Sequence, residues 1–147
     1  MRVVAGSDHG GLRLKTELIG KLCEAGVEVE DVGTHDTTST DYPDYAAQVA
    51  ERVRAGGADW GLLVCGTGIG MSIAANKVTG IRAAVVSDVF SAEATRRHNN
   101  AQVLCLGERV IGPGLAWKIV EAFMAAPFEG GRHQRRVDKI TALEGER

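Results

Sequence analysis

The sequence predicts an α/β protein: a Rossmann-like three-layer α/β/α sandwich around a five-stranded parallel sheet. Three observations carry that expectation. Short apolar runs alternate with segments of helical periodicity five times along the chain. Two of the runs stop at polar, glycine-bearing turns, Ser7-Asp8-His9-Gly10-Gly11 and Cys65-Gly66-Thr67-Gly68-Ile69-Gly70, each followed at once by a helical segment. The length of 147 residues, 44% hydrophobic and 24% charged, suits one domain with a core of its own.

The elements follow in order. Arg2–Ser7 reads as a short buried strand. Leu12, Leu14, Leu18, Ile19 and Leu22 form the apolar stripe of a helix that ends near Gly26. Residues 27–32 alternate apolar and acidic side chains, the pattern of a strand with one exposed face or an edge strand. A polar loop covers 33–40, and Asp41-Tyr42-Pro43 opens a second helix with proline in its first turn. That helix carries Tyr45, Ala46, Val49, Ala50 and Val53 and stops at Gly56-Gly57. Trp60–Cys65 is the third strand, and residues 69–77 are the helix after the glycine loop. Residues 81–87 form a fourth strand, 91–98 a helix, 102–106 a fifth strand and 115–125 a helix after Pro113; residues 132–143 close the chain as a helix. Alternation does not reveal strand order. In parallel sheets, ligands bind beyond the carboxyl ends of strands where the order reverses. If the first and third strands are neighbours, both polar turns open onto one crevice.

Composition excludes several classes. The net charge of −2 gives no global attraction to nucleic acid or to an anionic membrane. Met1-Arg2-Val3-Val4-Ala5 does not read as a signal peptide, because Gly6-Ser7-Asp8 interrupts it, and no apolar run approaches the ~20 residues of a membrane span. Cys23, Cys65 and Cys105 are odd in number and widely spaced, with no C-x-x-C pair. That pattern argues against a disulfide framework or a zinc site and for a reducing cytoplasm.

Cys65 heads the densest chemical signal. Three alternate glycines follow it, bringing backbone close to a ligand, and a helix start adds outward-pointing N–H groups. Such donors stabilise a thiolate, the usual route to a reactive cysteine, so the segment reads as a small-anion or oxyanion site with a nucleophile or base attached. The spacing G-x-G-x-G excludes the dinucleotide fingerprint, Met71-Ser72 after Gly70 excludes a Walker loop, and Met71 stands where a thiol phosphatase needs arginine. Taken alone, Val64-Cys65-Gly66 also fits a small buried hydrophobe at a strand end. The glycine run favours the functional reading.

The other polar clusters carry two readings each. Asp8 can cap the helix that follows, worth ~1 kcal/mol, or, opposite Cys65, hold sugar hydroxyls beside His9. His98-Asn99-Asn100 ends a helix, where histidine complements the dipole and Asn adopts a left-handed cap; histidine is also the side chain that exchanges protons near neutral pH. Arg132 and Arg136 stand at i and i+4 in a basic run that is otherwise a solvated face, and two guanidiniums on one side suit a phosphate dianion. Arg109, after the fifth strand, is a further candidate beside the plain reading of a surface arginine. Cys23 and Cys105 fit the core.

These residues resemble the ribose-5-phosphate isomerase B family, which also contains the galactose-6-phosphate isomerase subunits. The matching segments are Ser7-Asp8-His9-Gly10-Gly11, Thr40-Asp41-Tyr42-Pro43-Asp44-Tyr45-Ala46, Cys65-Gly66-Thr67-Gly68-Ile69-Gly70 with Ser72-Ile73-Ala74-Ala75-Asn76-Lys77, Gly80-Ile81-Arg82-Ala83, Ser91-Ala92, Arg97-His98-Asn99, Gly107 with Arg109-Val110, and Glu129-Gly130-Gly131-Arg132-His133 with Arg136-Val137. The resemblance implies interconversion of an aldose phosphate and a ketose phosphate, ribose 5-phosphate and ribulose 5-phosphate first, without metal or cofactor. Some members replace the catalytic cysteine with a glutamate further along the loop. This chain has Cys65 and no acidic residue from Ser72 to Ala75, so it resembles the cysteine-type branch.

By the same resemblance His98 opens the sugar ring, assisted by Thr67 and Asp8, and Cys65 moves the proton between C2 and C1. The backbone of Gly66, Gly68, Ile69 and Gly70 faces the enediolate. His9, Arg132 and Arg136 hold the phosphate with Arg109 contributing, and Tyr42, Ser72 and Asn99 complete the binding set. Family members are dimers or tetramers with each site shared between subunits, so His98, Asn99 and Arg109 are expected to serve a neighbour's site. Two rival readings remain: the same chemistry on a six-carbon or four-carbon sugar phosphate, with the loop 34–40 setting pocket length, and a non-catalytic phosphosugar-binding domain.

Overall fold

The computed structural model describes residues 1–145. Five strands, β1 (Arg2–Ser7), β2 (Glu28–Asp31), β3 (Trp60–Cys65), β4 (Ala83–Val85) and β5 (Val103–Gly107), alternate with helices α1 (Leu12–Glu24), α2 (Tyr42–Arg54), α3 (Ile69–Ala75), α4 (Val89–Asn99), α5 (Pro113–Ala125) and α6 (Arg132–Glu144). All strand pairs are parallel, in the order β2-β1-β3-β5-β4. The expected α/β sandwich with a five-stranded parallel sheet is the observed architecture.

The predicted strand patterns hold in the middle of the sheet and shrink at its edges. β1, β3 and β5 are almost wholly buried, which is why they read as continuous apolar runs. β2 and β4 sit at the two edges and are shorter than the expected 27–32 and 81–87. An edge strand pairs on one side only, so its ends leave the ladder first. The helix after the glycine loop also ends early, at Ala75; the Lys77 and Val78 amides turn to the carbonyls of Ala74 and Ala75 in a tighter turn. α4 begins at Val89 because the Asp88 side chain caps it, accepting the Ser91 N–H at 2.6 Å. α1 stops where the sequence indicated: Gly26 takes φ 84°, and the Val27 N–H returns to the Leu22 carbonyl.

Two apolar layers flank the sheet. Alternate residues Val3, Ala5, Leu62, Val64, Leu104 and Leu106 pack under α1, α4 and α5 through Leu14, Leu18, Leu22, Ala92, Ile119 and Phe123. The opposite residues Val4, Leu63, Cys65, Val103 and Cys105 pack under α2 and α3 through Ala46, Val49, Ala50 and Met71. Each fully buried Leu or Phe contributes about 1.5–3 kcal/mol, so the central strands hold the frame to which the loops are tied.

The order reverses twice. From β1 the chain moves outward to β2 and returns across β1 to β3; from β3 it passes over to the far edge β4 and comes back to β5. β1 and β3 are therefore neighbours, with Ser7 opposite Val64, and the two polar turns leave the sheet side by side.

Candidate active site

The glycine loop starts at Cys65, the last residue of β3 and 5% exposed. Gly68 takes the left-handed φ of 78°, folding the loop back so that its N–H donates to Cys65 Sγ at 3.1 Å. Thr67 Oγ1 accepts the Ile69 N–H at 3.2 Å, and the Ser72 hydroxyl donates to the Ile69 carbonyl at 2.8 Å, which fixes the first turn of α3. Tyr42, at the start of α2, lays its ring on Gly70: a Cβ there would stand 2.7 Å from the ring carbons. Thr67, Ile69 and Tyr42 are exposed, so the loop presents its outer face to solvent while its sulfur is sheltered.

The β1 turn meets this loop. Asp8, 8% exposed, accepts the Gly10 N–H at 2.9 Å. It closes an Asx turn and does not cap α1, whose N-cap position is Gly11. The free amide of Leu14 goes instead to Glu108 Oε1 at 2.7 Å. A Cβ on Gly10 would lie 3.5 Å from the Gly66 nitrogen, so the two turns touch through glycine backbone. His9 is exposed, and its Nδ1 accepts the Thr40 N–H at 3.2 Å. That bond assigns the ring proton to Nε2, the nitrogen left free to donate. After β5, the Arg109 N–H donates to the Gly66 carbonyl at 3.0 Å, and its side chain lies 3.5 Å from where a Gly66 Cβ would stand. Arg109, expected to serve a neighbouring subunit, thus rests beside the thiol loop of its own chain. Asp8, His9, Tyr42, Cys65, Thr67, Ser72, Arg109 and the loop glycines all belong to the carboxyl end of the sheet.

The remaining predicted residues form a second cluster elsewhere. His98 and Asn99 end α4, which runs back against the strands and hands over to the start of β5. Val103 is level with Gly61, four residues before Cys65, so this end of α4 stands roughly 13 Å from Cys65 along the strand direction. Arg82 fastens it there, donating to the carbonyls of Asn99 and Asn100 at 2.9 and 3.0 Å while Asn100 takes φ 47°. α6 packs on α4, and His133 stacks on His98 with ring centroids 4.3 Å apart. Arg132 and Arg136 project from α6 into solvent beside that stack, one turn apart as their spacing implied. Within one chain, the thiol cluster and the His98–arginine cluster occupy opposite ends of the sheet.

Three residues that sequence reasoning gave no role, Lys15, Glu129 and His133, shape these clusters. Lys15 is fully buried, and its ammonium donates to Asp31 Oδ1 at 2.7 Å and to the Thr34 carbonyl at 2.6 Å, tying down the loop that reaches His9 through Thr40. Its signal was a lysine beside Leu14 and Leu18 on an apolar stripe. Glu129 faces both histidines, 3.8 Å from His98 Nε2 and 3.4 Å from His133 Nε2. His133 itself is held below the usual imidazole range by burial first, then by His98 and Arg132. The i, i+4 spacing of Glu129 and His133 was the available clue. Cys105 shares the α2–α3 face with Cys65, and its burial pushes the thiol well above the ordinary range, so it stays protonated and inert.

Known proteins share this sequence and fold. The family model described as Ribose/Galactose Isomerase matches residues 3–140. Ribose-5-phosphate isomerase B of Escherichia coli K12 is 53% identical over 146 residues, covering 99% of this chain and 98% of the relative. The solved ribose-5-phosphate isomerase B of Clostridium thermocellum superposes with a TM-score of 0.99 at 51% identity over 99% of both chains. The Mycoplasma genitalium enzyme solved with bound ribulose-5-phosphate superposes at 0.95, 44% identical, covering 99% of this chain and 97% of its own. With the family model matching residues 3–140 and a relative 53% identical over nearly the whole length of both chains, the chain belongs to the ribose/galactose isomerase family.

Proposed function

We propose that this chain interconverts ribose 5-phosphate and ribulose 5-phosphate through an enediolate, with Cys65 as the base. The observation that carries the reading is the sheltered Cys65 sulfur with the Gly68 N–H on it, at the mouth of the β1–β3 crevice beside Asp8. A base here must remove a carbon-bound proton from C2 and return it to C1. A thiolate does so from a site where water is scarce and the backbone supplies the compensating donors. As the proton leaves, charge builds on the substrate oxygens. With the Gly68 and Ile69 amides engaged by Cys65 Sγ and Thr67 Oγ1, the Gly66, Thr67 and Gly70 amides of the loop are the donors left for it, and one such donor is worth ~3–4 kcal/mol of barrier. Thr67 and Asp8 orient the sugar hydroxyls, with Tyr42 and Ser72 bounding the pocket. His9 donates Nε2–H to the phosphate, and Arg132 and Arg136 neutralise it.

His98 exchanges the protons of ring opening, and Asn99 binds beside it. Because the two clusters stand at opposite ends of one chain, the complete site is assembled from two copies: the thiol loop of one subunit and the α4–α6 end of the other. The chain works as one domain in a homodimer or a larger even assembly, on a small sugar phosphate. No helix among the described residues is long and apolar enough to cross a membrane. The three free thiols suit a reducing compartment, and the cytoplasm is the one proposed.

The activity test mixes wild type or Cys65→Ala with ribose 5-phosphate in the presence of a chelator and follows ketose formation. Turnover by the wild type that the variant loses, while the sugar phosphate still raises the variant's melting temperature, supports the assignment. Wild type that turns over only six-carbon or four-carbon phosphates moves the substrate; binding without turnover of any of them returns the protein to a sugar-phosphate sensor. The shared site is tested by mixing inactive Cys65→Ala with inactive His98→Asn. Random reassociation restores up to about one quarter of wild-type activity if each site draws on two chains, and none if each chain is self-contained.

A further inference from the structure

Glu129 lies at the centre of a constellation that the proposed chemistry leaves unexplained. Its backbone N–H donates to the Arg97 carbonyl at 3.1 Å, anchoring the segment before α6 to α4. One carboxylate oxygen faces both His133 Nε2 and His98 Nε2, at 3.4 and 3.8 Å, and the other lies 3.9 Å from the Arg97 guanidinium. Arg97 is itself paired with Glu93 at 2.8 Å. The charged groups around His98 are therefore Glu93 and Arg97 on its own helix, Glu129 on the connecting segment, and Arg132, His133 and Arg136 on α6.

The two imidazoles stack at 4.3 Å between centroids, their planes 14° apart. Two imidazolium rings at that separation would repel strongly. His133 is buried under the stack and His98 open to solvent, and burial together with the flanking arginines keeps His133 neutral. The stack therefore sets the buried His133 ring against one face of the exposed His98 ring, with the Glu129 carboxylate facing Nε2 of both. The same three side chains are of metal-ligating type. However, imidazole lone pairs lie in the ring planes, and two nearly parallel planes do not aim them at one point, so the arrangement suits holding a ring better than gripping an ion.

We propose that Glu129 is a positioning residue for ring opening: its carboxylate and the stacked His133 ring hold the His98 imidazole in the one orientation from which it passes protons to the sugar. The proposal rests on the role given to His98 above. In the step, the His98 imidazolium delivers a proton to the furanose ring oxygen as the bond between C1 and that oxygen breaks, the bonding pair staying on oxygen. The anomeric hydroxyl loses its proton to the imidazole as C1 becomes an aldehyde, so no net proton is consumed. A ring free to rotate would perform neither transfer well, and a ring stacked on one face with a carboxylate facing the Nε2 edge restrains rotation.

Ribulose 5-phosphate separates this step from the rest, because its C5 oxygen is esterified and it has no furanose to open. Exchange of its C1 hydrogen with deuterated solvent, read by NMR, reports the Cys65 half of the reaction alone. Glu129→Gln preserves size and removes charge. It is expected to slow conversion of ribose 5-phosphate by about tenfold or more, part of the roughly 10²–10⁴-fold that a general acid contributes, with KM changed less than about twofold. C1 exchange of ribulose 5-phosphate is expected to keep its wild-type rate. His133→Phe, which keeps the stack, is expected to retain more of the ring-opening rate than His133→Ala. Equal slowing of both reactions in Glu129→Gln would make Glu129 merely structural and overturn the proposal, as would no effect on either. The same pair of assays on His98→Asn distinguishes the underlying reading: if that variant is not selective for ring opening, the role of His98 fails, whereas a selective His98→Asn beside an unselective Glu129→Gln overturns the positioning role only.

Discussion

Replacing Gly68 by alanine tests whether the thiol loop is held by backbone conformation, by contact, or by both. Gly68 takes φ 78°, and a Cβ there would stand 2.9 Å from the Leu106 carbonyl carbon and 3.0 Å from Val85 Cγ2. Two other glycines separate the contributions. Gly26 takes φ 84° with nothing within 4 Å of its Cβ direction, so Gly26→Ala carries the left-handed penalty alone, about 1–2 kcal/mol. A Cβ on Gly107 would lie 2.6 Å from the Thr67 carbonyl carbon, so Gly107→Ala carries the contact alone, about 1–3 kcal/mol for a wall of backbone. Gly68→Ala then costs about 2–5 kcal/mol, the two effects acting on one residue. For a chain of this size each kcal/mol moves Tm by about 2–4 °C. Urea denaturation at one fixed protein concentration measures all three, since the proposed assembly would make stability depend on concentration. In the ribose 5-phosphate assay, Gly68→Ala also lowers kcat, because the strained loop no longer aims its N–H at Cys65 Sγ, while Gly26→Ala does not. If Gly68→Ala costs no more than Gly26→Ala, the Leu106 wall yields freely and the argument for a rigid loop fails.

Lys15→Met removes the buried ammonium from Asp31 and the Thr34 carbonyl; it should cost about 1–3 kcal/mol in denaturant melts and raise KM for ribose 5-phosphate, as the loop behind His9 loosens. An unchanged KM would detach that loop from phosphate binding. His133 binds a proton less readily folded than unfolded, so its contribution to stability is complete above about pH 6.5 and is lost as pH falls below it. Melting curves of His133→Phe should lack that acid limb; an identical limb would place the titrating group elsewhere. Iodoacetamide on the native protein should label exposed Cys23 first, Cys65 more slowly and less still with ribose 5-phosphate bound, and leave buried Cys105 untouched. Mass spectrometry showing early labelling of Cys105 would contradict the packing of β5.

Much of this protein was legible along the chain. The buried strands β1, β3 and β5 announced themselves as apolar runs, α1 and α2 as amphipathic stripes ended by glycine, and the thiol loop by alternate glycines between strand and helix. These are local facts: a residue's neighbours in sequence decide its period, cap and turn. The edge strands were overestimated because pairing on a second side, not composition, sustains a strand to its ends. Asp8 was legible as a turn residue, but its choice of Gly10 over the helix end depended on Glu108 arriving from 94 residues away to take the α1 amide.

The sequence by itself determined the layer architecture, the glycine loop between β3 and α3, and the family whose residues match from position 7 to about 137. Tertiary structure alone decided the strand order β2-β1-β3-β5-β4, which brings the Asp8 and Cys65 turns together, and the direction of α4, which carries His98 and Asn99 to the other end of the sheet. It also decided that Glu129 and His133 lie against His98 and that Lys15 anchors the loop behind His9. The reason is physical. Periodicity records which face of an element is apolar, whereas strand order, helix direction across the sheet and side-chain clusters are settled by which apolar faces bury one another, between residues the chain keeps far apart.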